Sequence, residues 1–336
     1  MRTCSARLSA AGVAATMLVL ASCGSDTGSG GGTGSGSDSF AAVIKGLDNT
    51  FFQAMEDGIE AQAEEAGLDV EVQAAQGITD TTGQADKLNA LAEQDYGCFV
   101  VNPISGTNLI QGLARIAAQD VPVVNIDSPV DPEAAEEAGL DVATYIGTDN
   151  EAAGGKAGDA MVDEIGTGQV ALIGGISGDV TSQARLDGFE GAVGGELDVV
   201  QTVAADWERQ KALTAATTIM DANPELEGFF AANDDMGLGI VQAVRNAGKS
   251  GEITVISVDG NEEALQAVAS GDLYATVAQY PYAIGQLGVQ ACEQAVAGEE
   301  LPETVESPTA VVTKDVAQEA IDAFPRPFED FENPLQ

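Results

Sequence analysis

Ile146-Gly147-Thr148-Asp149-Asn150 marks the place where one series of strand and helix patterns closes and a second begins. A short apolar run, residues 144–146, stops at a glycine turn. Asp149 and Asn150 then offer the side-chain acceptors that a helix N-terminus needs for its unpaired backbone N–H groups. Upstream of this point, β-rich runs occur at 41–47, 70–72, 98–101 and 121–126. Downstream they occur at 170–173, 199–203, 229–232, 253–258 and 275–278, with one more at 310–313 beyond Pro308. Amphipathic stretches of helical length separate them, at 52–66, 82–94, 109–119, 152–165, 210–222, 237–247, 262–269 and 282–296. Near-continuous apolar strands alternating with helices indicate parallel sheet with helices on both faces. So many strands exceed one doubly wound sheet of this length, so the reading is an α/β chain with two sheets that divide near Gly147.

Local punctuation agrees. Gly67, Gly139 and Gly248 stand where helix C-caps are expected. The string Glu-Glu-Ala-Gly-Leu-Asp-Val occurs at 64–70 and again at 136–142, which reads as one helix-to-strand turn used twice.

The amino-terminal segment is of a different kind. Arg2 and Arg7 precede an apolar stretch, residues 8–20, followed by Leu20-Ala21-Ser22-Cys23 and a run of Gly, Ser, Thr and Asp to residue 39. A basic start, a short apolar centre and small residues at the cut describe a secretory leader, residues 1–22, too short for a comfortable membrane span. The Leu-Ala-Ser-Cys quartet resembles the lipobox of bacterial lipoproteins, in which Cys23 becomes the lipidated first residue. Residues 23–39 then form a flexible tether. The expected location is the outer face of the cytoplasmic membrane, held by lipid.

Loss of Arg2 and Arg7 with an acid-free leader leaves 11 basic against 54 acidic residues, a net charge of −43. Such a chain repels nucleic-acid phosphates and anionic headgroups. Histidine is absent, and no Cys-x-x-Cys spacing occurs, so zinc sites of the usual kind are not expected. Cys4 lies in the leader, leaving Cys98 and Cys292 as partners that an oxidising compartment would permit, at a separation the sequence does not define.

Ligands of open parallel α/β sheets bind beyond the carboxyl ends of the strands. That rule selects Asp48, Asn49, Phe51 and Phe52 after the first run, and Asp127 and Ser128 after 121–126. It also selects Arg185 after the loop 174–178, Trp207 after 199–205, Asn233 and Asp234 after 229–232, Asp259 after 253–258, and Gln279 after 275–278. Aromatic plates cover the C–H faces of a sugar, carboxylates accept from its hydroxyls, and amides do both. A guanidinium can fork to adjacent oxygens and offset buried carboxylate charge. Singly, each residue has an ordinary reading as core, turn or cap; the set points to a neutral polyhydroxylated ligand.

In their order these residues resemble the type 1 periplasmic sugar-binding proteins, and among them the ribose-binding proteins of ABC importers. The segments that carry the resemblance are Asp48-Asn49-Thr50-Phe51-Phe52, Val124-Asn125-Ile126-Asp127, Ala184-Arg185-Leu186-Asp187-Gly188-Phe189, Ala205-Asp206-Trp207, Phe230-Ala231-Ala232-Asn233-Asp234-Asp235-Met236, Val258-Asp259-Gly260 and Ala278-Gln279. The resemblance implies that Asn49, Asp127, Arg185, Asn233, Asp259 and Gln279 hydrogen-bond the sugar while Phe51, Phe52 and Trp207 sandwich it. Trp207 stands where ribose binders usually have Phe. Ser128 stands where they usually have Arg, which removes a guanidinium and puts ribose itself in doubt against another pentose, a hexose, a deoxysugar or a polyol.

The resemblance further implies two doubly wound lobes joined by three crossovers, near Gly147, Tyr280 and Ser307. The lobes would comprise 40–147 with 281–307, and 148–280 with 308–325, followed by an acidic tail, 326–336. Cys98 and Cys292 then share a lobe, which favours a disulfide between them. The expected function is a monomeric receptor that closes on its sugar and delivers it to an ABC transporter permease, with no cofactor and no metal. Without histidine, Ser-His-Asp and Cys-His catalysis are closed to it. A glycosidase pair of Asp127 and Asp259 is disfavoured by the accompanying Arg185 and amides. Gly248-Lys249-Ser250 lacks the upstream glycine of a P-loop. A sugar sensor feeding a membrane kinase, or a binder of an amino acid or polyamine, are the alternatives; a DNA-binding regulator would need a basic helix-turn-helix where the leader stands.

Overall fold

Alternate residues of the first strand point to opposite sides of its sheet, and both sides are dry. In β1 (Ser39–Ile44), Phe40, Ala42 and Ile44 join one apolar cluster, while Ala41 and Val43 join another. A strand covered on both faces needs apolar side chains at every position, so it lacks the in–out alternation of a half-exposed strand. The computed structural model describes residues 39–329 and 332–336. The leader 1–22, Cys23 and the tether up to residue 38 lie outside these residues; Ser39, counted with the tether, belongs to β1. No helix among the described residues is long and apolar enough to cross a membrane.

Two six-stranded sheets carry the fold. The first runs β11 (Thr304–Ser307), β5 (Thr144–Thr148), β4 (Val123–Ile126), β3 (Cys98–Val101), β1 and β2 (Asp69–Ala74), with all neighbours parallel. The second runs β12 (Ala310–Thr313), β10 (Ala275–Ala278), β9 (Thr254–Asp259), β8 (Leu226–Ala231), β6 (Gly168–Gly174) and β7 (Leu197–Ala204). Only β12, at its edge, is antiparallel to its neighbour. The first five strands of each sheet follow the same 2-1-3-4-5 order, so the chain repeats one doubly wound plan.

Helices α1 (Thr50–Ala66), α2 (Thr81–Leu91), α3 (Ile110–Ala117), α4 (Pro132–Ala138) and α10 (Pro281–Ala297) accompany the first sheet. Helices α5 (Asn150–Ile165), α6 (Val180–Val193), α7 (Arg209–Ala222), α8 (Asp234–Asn246), α9 (Glu262–Ser270) and α11 (Ala317–Ala323) accompany the second. The chain crosses from the first sheet to the second after β5, returns after β10, and crosses again between β11 and β12. The twice-used string ends α1 and α4 with the same cap. Gly67 and Gly139 take left-handed φ of 71° and 68°, and Leu68 and Leu140 donate back to Ala63 and Ala135 carbonyls at 2.9 Å in both. Only glycine adopts that conformation without a Cβ clash.

Three elements escape the pattern reading, α6, α11 and β11, and α4 shows itself only through its Gly139 cap. Two of these helices have seven residues, and α6 has apolar and polar residues on all sides because it packs tightly on α5 through Gly188 and Gly154. β11 buries only Val305 and Ser307, as an edge strand does. Residues 332–336, expected as a tail, return to the first lobe: Leu335 is buried in its core, its carbonyl accepts from Gln294 Nε2 at 2.7 Å, and Asn333 Nδ2 donates to Gln290 Oε1 at 2.9 Å.

Cys98 on β3 and Cys292 on α10 are joined as a disulfide, with Cα atoms 5.7 Å apart. The bond closes a loop of 194 residues that includes five of the six strands of the second sheet, all but β12. Because a crosslink over a long loop restricts the unfolded chain, the double variant Cys98→Ser/Cys292→Ser should unfold at lower urea, with a loss of about 2–4 kcal/mol. An unchanged midpoint under oxidising conditions would contradict this.

Candidate functional site

Both sheets present their carboxyl ends to one cleft, and the loops that leave those ends supply its walls. After β1 the chain delivers Lys45, then Asn49, whose Oδ1 accepts from the Phe51 N–H at 2.9 Å and caps α1. The cap fixes the first turn, so Phe51 and Phe52 enter the cleft wall as an edge-to-face pair with centroids 5.2 Å apart. After β4, Asp127 takes a left-handed φ of 60°, pinned by its N–H to the Ile146 carbonyl at 2.7 Å and by Tyr145 Oη donating to its carbonyl at 2.6 Å. Asn125, buried, donates to the Val101 and Ser128 carbonyls and accepts from Val130 N–H, and so holds this loop rather than facing the ligand.

The second lobe answers with a denser network. Arg185 on α6 is 4% exposed. Its Nε donates to Asn150 Oδ1 at 2.9 Å, and its Nη1 donates to the Ala232 carbonyl at 2.7 Å and to Asp259 Oδ1 at 3.2 Å. Gln279 Nε2 donates to the same Asp259 oxygen at 2.7 Å. Asn233 caps α8 by accepting from Met236 N–H at 2.9 Å. Trp207 follows β7 with φ of 63°, its ring 5.9 Å from the Arg185 guanidinium carbon. Among the described residues five non-glycines have positive φ, and four of them, Asp127, Asp206, Trp207 and Asp259, stand at or beside the cleft. Strained backbone concentrated in this way marks a functional site.

Ten of the twelve residues selected from the sequence line this cleft, Asn49, Phe51, Phe52, Asp127, Ser128, Arg185, Trp207, Asn233, Asp259 and Gln279, whereas Asp48 lines a wider groove outside it and Asp234 is buried away from it. Sequence reasoning missed one other that matters. Lys45 Nζ donates to Ser128 Oγ at 2.6 Å, lies 3.6 Å from Asp127 Oδ2 and sits 5.4 Å from the Phe52 centroid. Ser128 Oγ in turn donates to Asp127 Oδ2 at 3.1 Å. The cation lost at position 128 is therefore restored from a different strand. Its only sequence signal was its place directly beyond β1. Asp234, selected with Asn233 after β8, is fully buried and accepts from Ser257 Oγ, Thr276 Oγ1 and Asn261 N–H at 2.5–2.7 Å, so that it braces the loop that carries Asp259 rather than facing the cleft.

The inner cleft is narrow, about 70 Å³, below the roughly 300–1,000 Å³ of ordinary ligand pockets. A wider outer groove, about 840 Å³, adjoins it at Asn49, Ile78 and Trp207, with Asp57 on one wall and the Arg209 pairs to Asp235 and Glu263 on the other. The chemistry favours the inner space, where the buried and paired polar groups converge. No group of three or more Cys, Asp or Glu suited to a metal occurs among the described residues.

A family model described as a periplasmic binding protein domain matches residues 40–300. The chain belongs to that family. The match spans the strand-end segments from Asp48 to Gln279 that carry the resemblance to the type 1 sugar-binding proteins. The D-allose-binding periplasmic protein of Escherichia coli (strain K12) is 35% identical over 255 residues, covering 75% of this chain and 82% of that protein. A ribose import binding protein of Bacillus subtilis (strain 168) is 32% identical over 272 residues, covering 81% and 86%. An ABC transporter periplasmic solute binding protein from Actinobacillus succinogenes 130z, solved with bound D-allose, superposes with a TM-score of 0.81 at 29% identity, covering 84% of this chain and 99% of that one. This family member is a solute-binding protein rather than an enzyme, and its family works outside the cytoplasm.

Burial pushes both Asp234 and Asp259 above the ordinary carboxylate range; Arg185 opposes the rise at Asp259, and the hydroxyls of Ser257 and Thr276 oppose it at Asp234. A carboxyl group with a raised folded pKa binds its proton more tightly folded than unfolded. Its stabilising contribution is complete below about pH 4 and is lost as pH rises through the folded value. The parent should therefore lose stability between about pH 4 and neutrality more steeply than Asp234→Asn, compared by urea unfolding at several pH values. Equal slopes would contradict the assignment.

Proposed function

We propose that the protein is a receptor that binds a neutral monosaccharide or polyol between its lobes and delivers it to an ABC transporter permease. One observation carries the ligand class: the two cleft carboxylates at strand ends each already have a cation, Asp127 with Lys45 and Asp259 with Arg185, while Asp179 is engaged as the cap of α6, accepting from Ser182 N–H at 2.8 Å. A polyamine would need unpaired carboxylates, and an amino acid would need an uncommitted cation. Paired groups still accept and donate hydrogen bonds, which is what hydroxyls ask of them. Among the described residues the Arg185 Nη2 donors have no partner within the protein, so they remain for a ligand oxygen. Phe51, Phe52 and Trp207 supply apolar surface for the sugar's C–H faces. The names of the relatives, allose and ribose binders, agree with this class.

The mechanism is capture by closure. With the lobes apart, the polar groups of each wall are solvated. A sugar that bonds to both walls has higher affinity for the closed arrangement and shifts the population toward it. Micromolar binding corresponds to about −8 kcal/mol. A lipid on Cys23, followed by the Gly/Ser-rich tether, would hold the receptor beside its permease and raise the effective concentration there.

A thermal-shift and calorimetric panel of pentoses, hexoses, polyols and amino acids tests the ligand class. At least one sugar or polyol should stabilise the protein by about 2.7 kcal/mol at a hundredfold excess over its Kd, and amino acids should not. Stabilisation by amino acids alone would overturn the reading. Removing the Asp259 side chain as alanine would strand a buried guanidinium, so Asp259→Asn is the cleaner variant. It should weaken the best ligand by about a hundredfold or more, near 2.7 kcal/mol. For the anchor, Cys23→Ser should move the protein from the membrane fraction to the soluble fraction, and an unchanged distribution would argue against lipidation.

A further inference from the structure

Gly175 follows β6 directly, and its backbone torsions lie outside the left-handed region that favours glycine. Glycine is needed there for space. A methyl group on Gly175 would overlap the Trp207 indole at Cε2, Cζ2 and Cδ2. The glycine is also fixed in place from both sides. Its N–H donates to Ser182 Oγ at 2.8 Å, and its carbonyl accepts from Asp206 N–H at 3.2 Å. One residue earlier, the Gly174 carbonyl accepts from Ala205 N–H at 2.8 Å. The segment 205–207 is thus laid along the segment 174–175. Asp206 and Trp207 complete the approach in consecutive left-handed conformations, φ 54° and 63°, an arrangement that costs about 1–3 kcal/mol per residue and persists only when the surroundings enforce it.

We propose that Gly175 is a specificity-determining residue that acts through Trp207. Its bare backbone is the seat on which the indole lies flat, and the depth of that seat sets how far the aromatic plate projects toward Phe51 and Phe52. Carbon atoms in contact keep about 3.5–4.0 Å between them, so any side chain at 175 drives the plate into the cleft and narrows the space left for one sugar ring. The pairing of a glycine at 175 with an indole at 207 is therefore a matched set, and a smaller plate should tolerate a larger residue at 175. This inference rests on the sugar-binding reading for its consequence, though not for its geometry.

Trp207 is the only tryptophan, so its emission reports the seat directly. In the ligand-free Gly175→Ala variant the emission should move to longer wavelength and acrylamide should quench it more strongly. Affinity for the best sugar of the panel should fall about tenfold or more, the range expected for overpacking. Gly175→Ala combined with Trp207→Phe should bind within a few-fold of Trp207→Phe alone, because the smaller ring removes the clash and makes the two changes non-additive. Parental emission and affinity in Gly175→Ala would overturn the proposal, and so would fully additive losses in the double variant. Where Gly175→Ala does not fold, a folded double variant supports the seat and an unfolded one overturns it. If no sugar binds the parent, the sugar reading fails while the emission and quenching results still decide the role of Gly175.

Discussion

The buried ion pair between Arg185 and Asp259 is the constraint around which the second lobe is arranged. From α6 its guanidinium reaches three other pieces of chain: Asn150 at the first crossover, the carbonyl that follows β8, and the carboxylate that ends β9. Removing two charges from water offsets most of what their attraction gains, so such a pair contributes little net stability. What it supplies is geometry. The same carboxylate oxygen takes Gln279 as well, and Asp234 behind it holds the loop in place through two hydroxyls and a backbone N–H. The wall is therefore set before a ligand arrives, which lowers the ordering cost of binding.

The first lobe reaches an equivalent balance with different residues. Asp127 has Lys45, relayed in part through Ser128, and the ammonium also lies over the Phe52 ring. Each lobe thus brings one compensated carboxylate and aromatic surface to a shared cleft. The symmetry of function follows the symmetry of the sheets, since Asp127 follows β4 and Asp259 ends β9, the fourth strand of each 2-1-3-4-5 plan.

The parallel strands were legible because burial on both faces demands unbroken apolar runs, and 98–101 and 275–278 coincide with β3 and β10. The helix caps were legible because Gly67 and Gly139 answer a steric need. The site residues were legible because chain order at strand ends converts into position. Lys45 was not, since a lone lysine after a strand reads as solvated until Ser128, 83 residues away, is seen beside it. Asp234 was taken with its segment but its buried bracing role depends on Ser257 and Thr276 from two other strands. The docking of residues 332–336 rests on a single leucine and two amides, too little pattern for a composition-based reading.

A crystal structure of the protein with the best ligand of the sugar panel tests the central claim most directly. The account predicts one uncharged ring between Phe51, Phe52 and Trp207, with hydroxyls bonded to Asp127 in one lobe and Asp259 in the other, and both ion pairs kept. A ligand lodged in the outer groove beside Arg209, or one that replaces Arg185 or Lys45 as a carboxylate's partner, would contradict it.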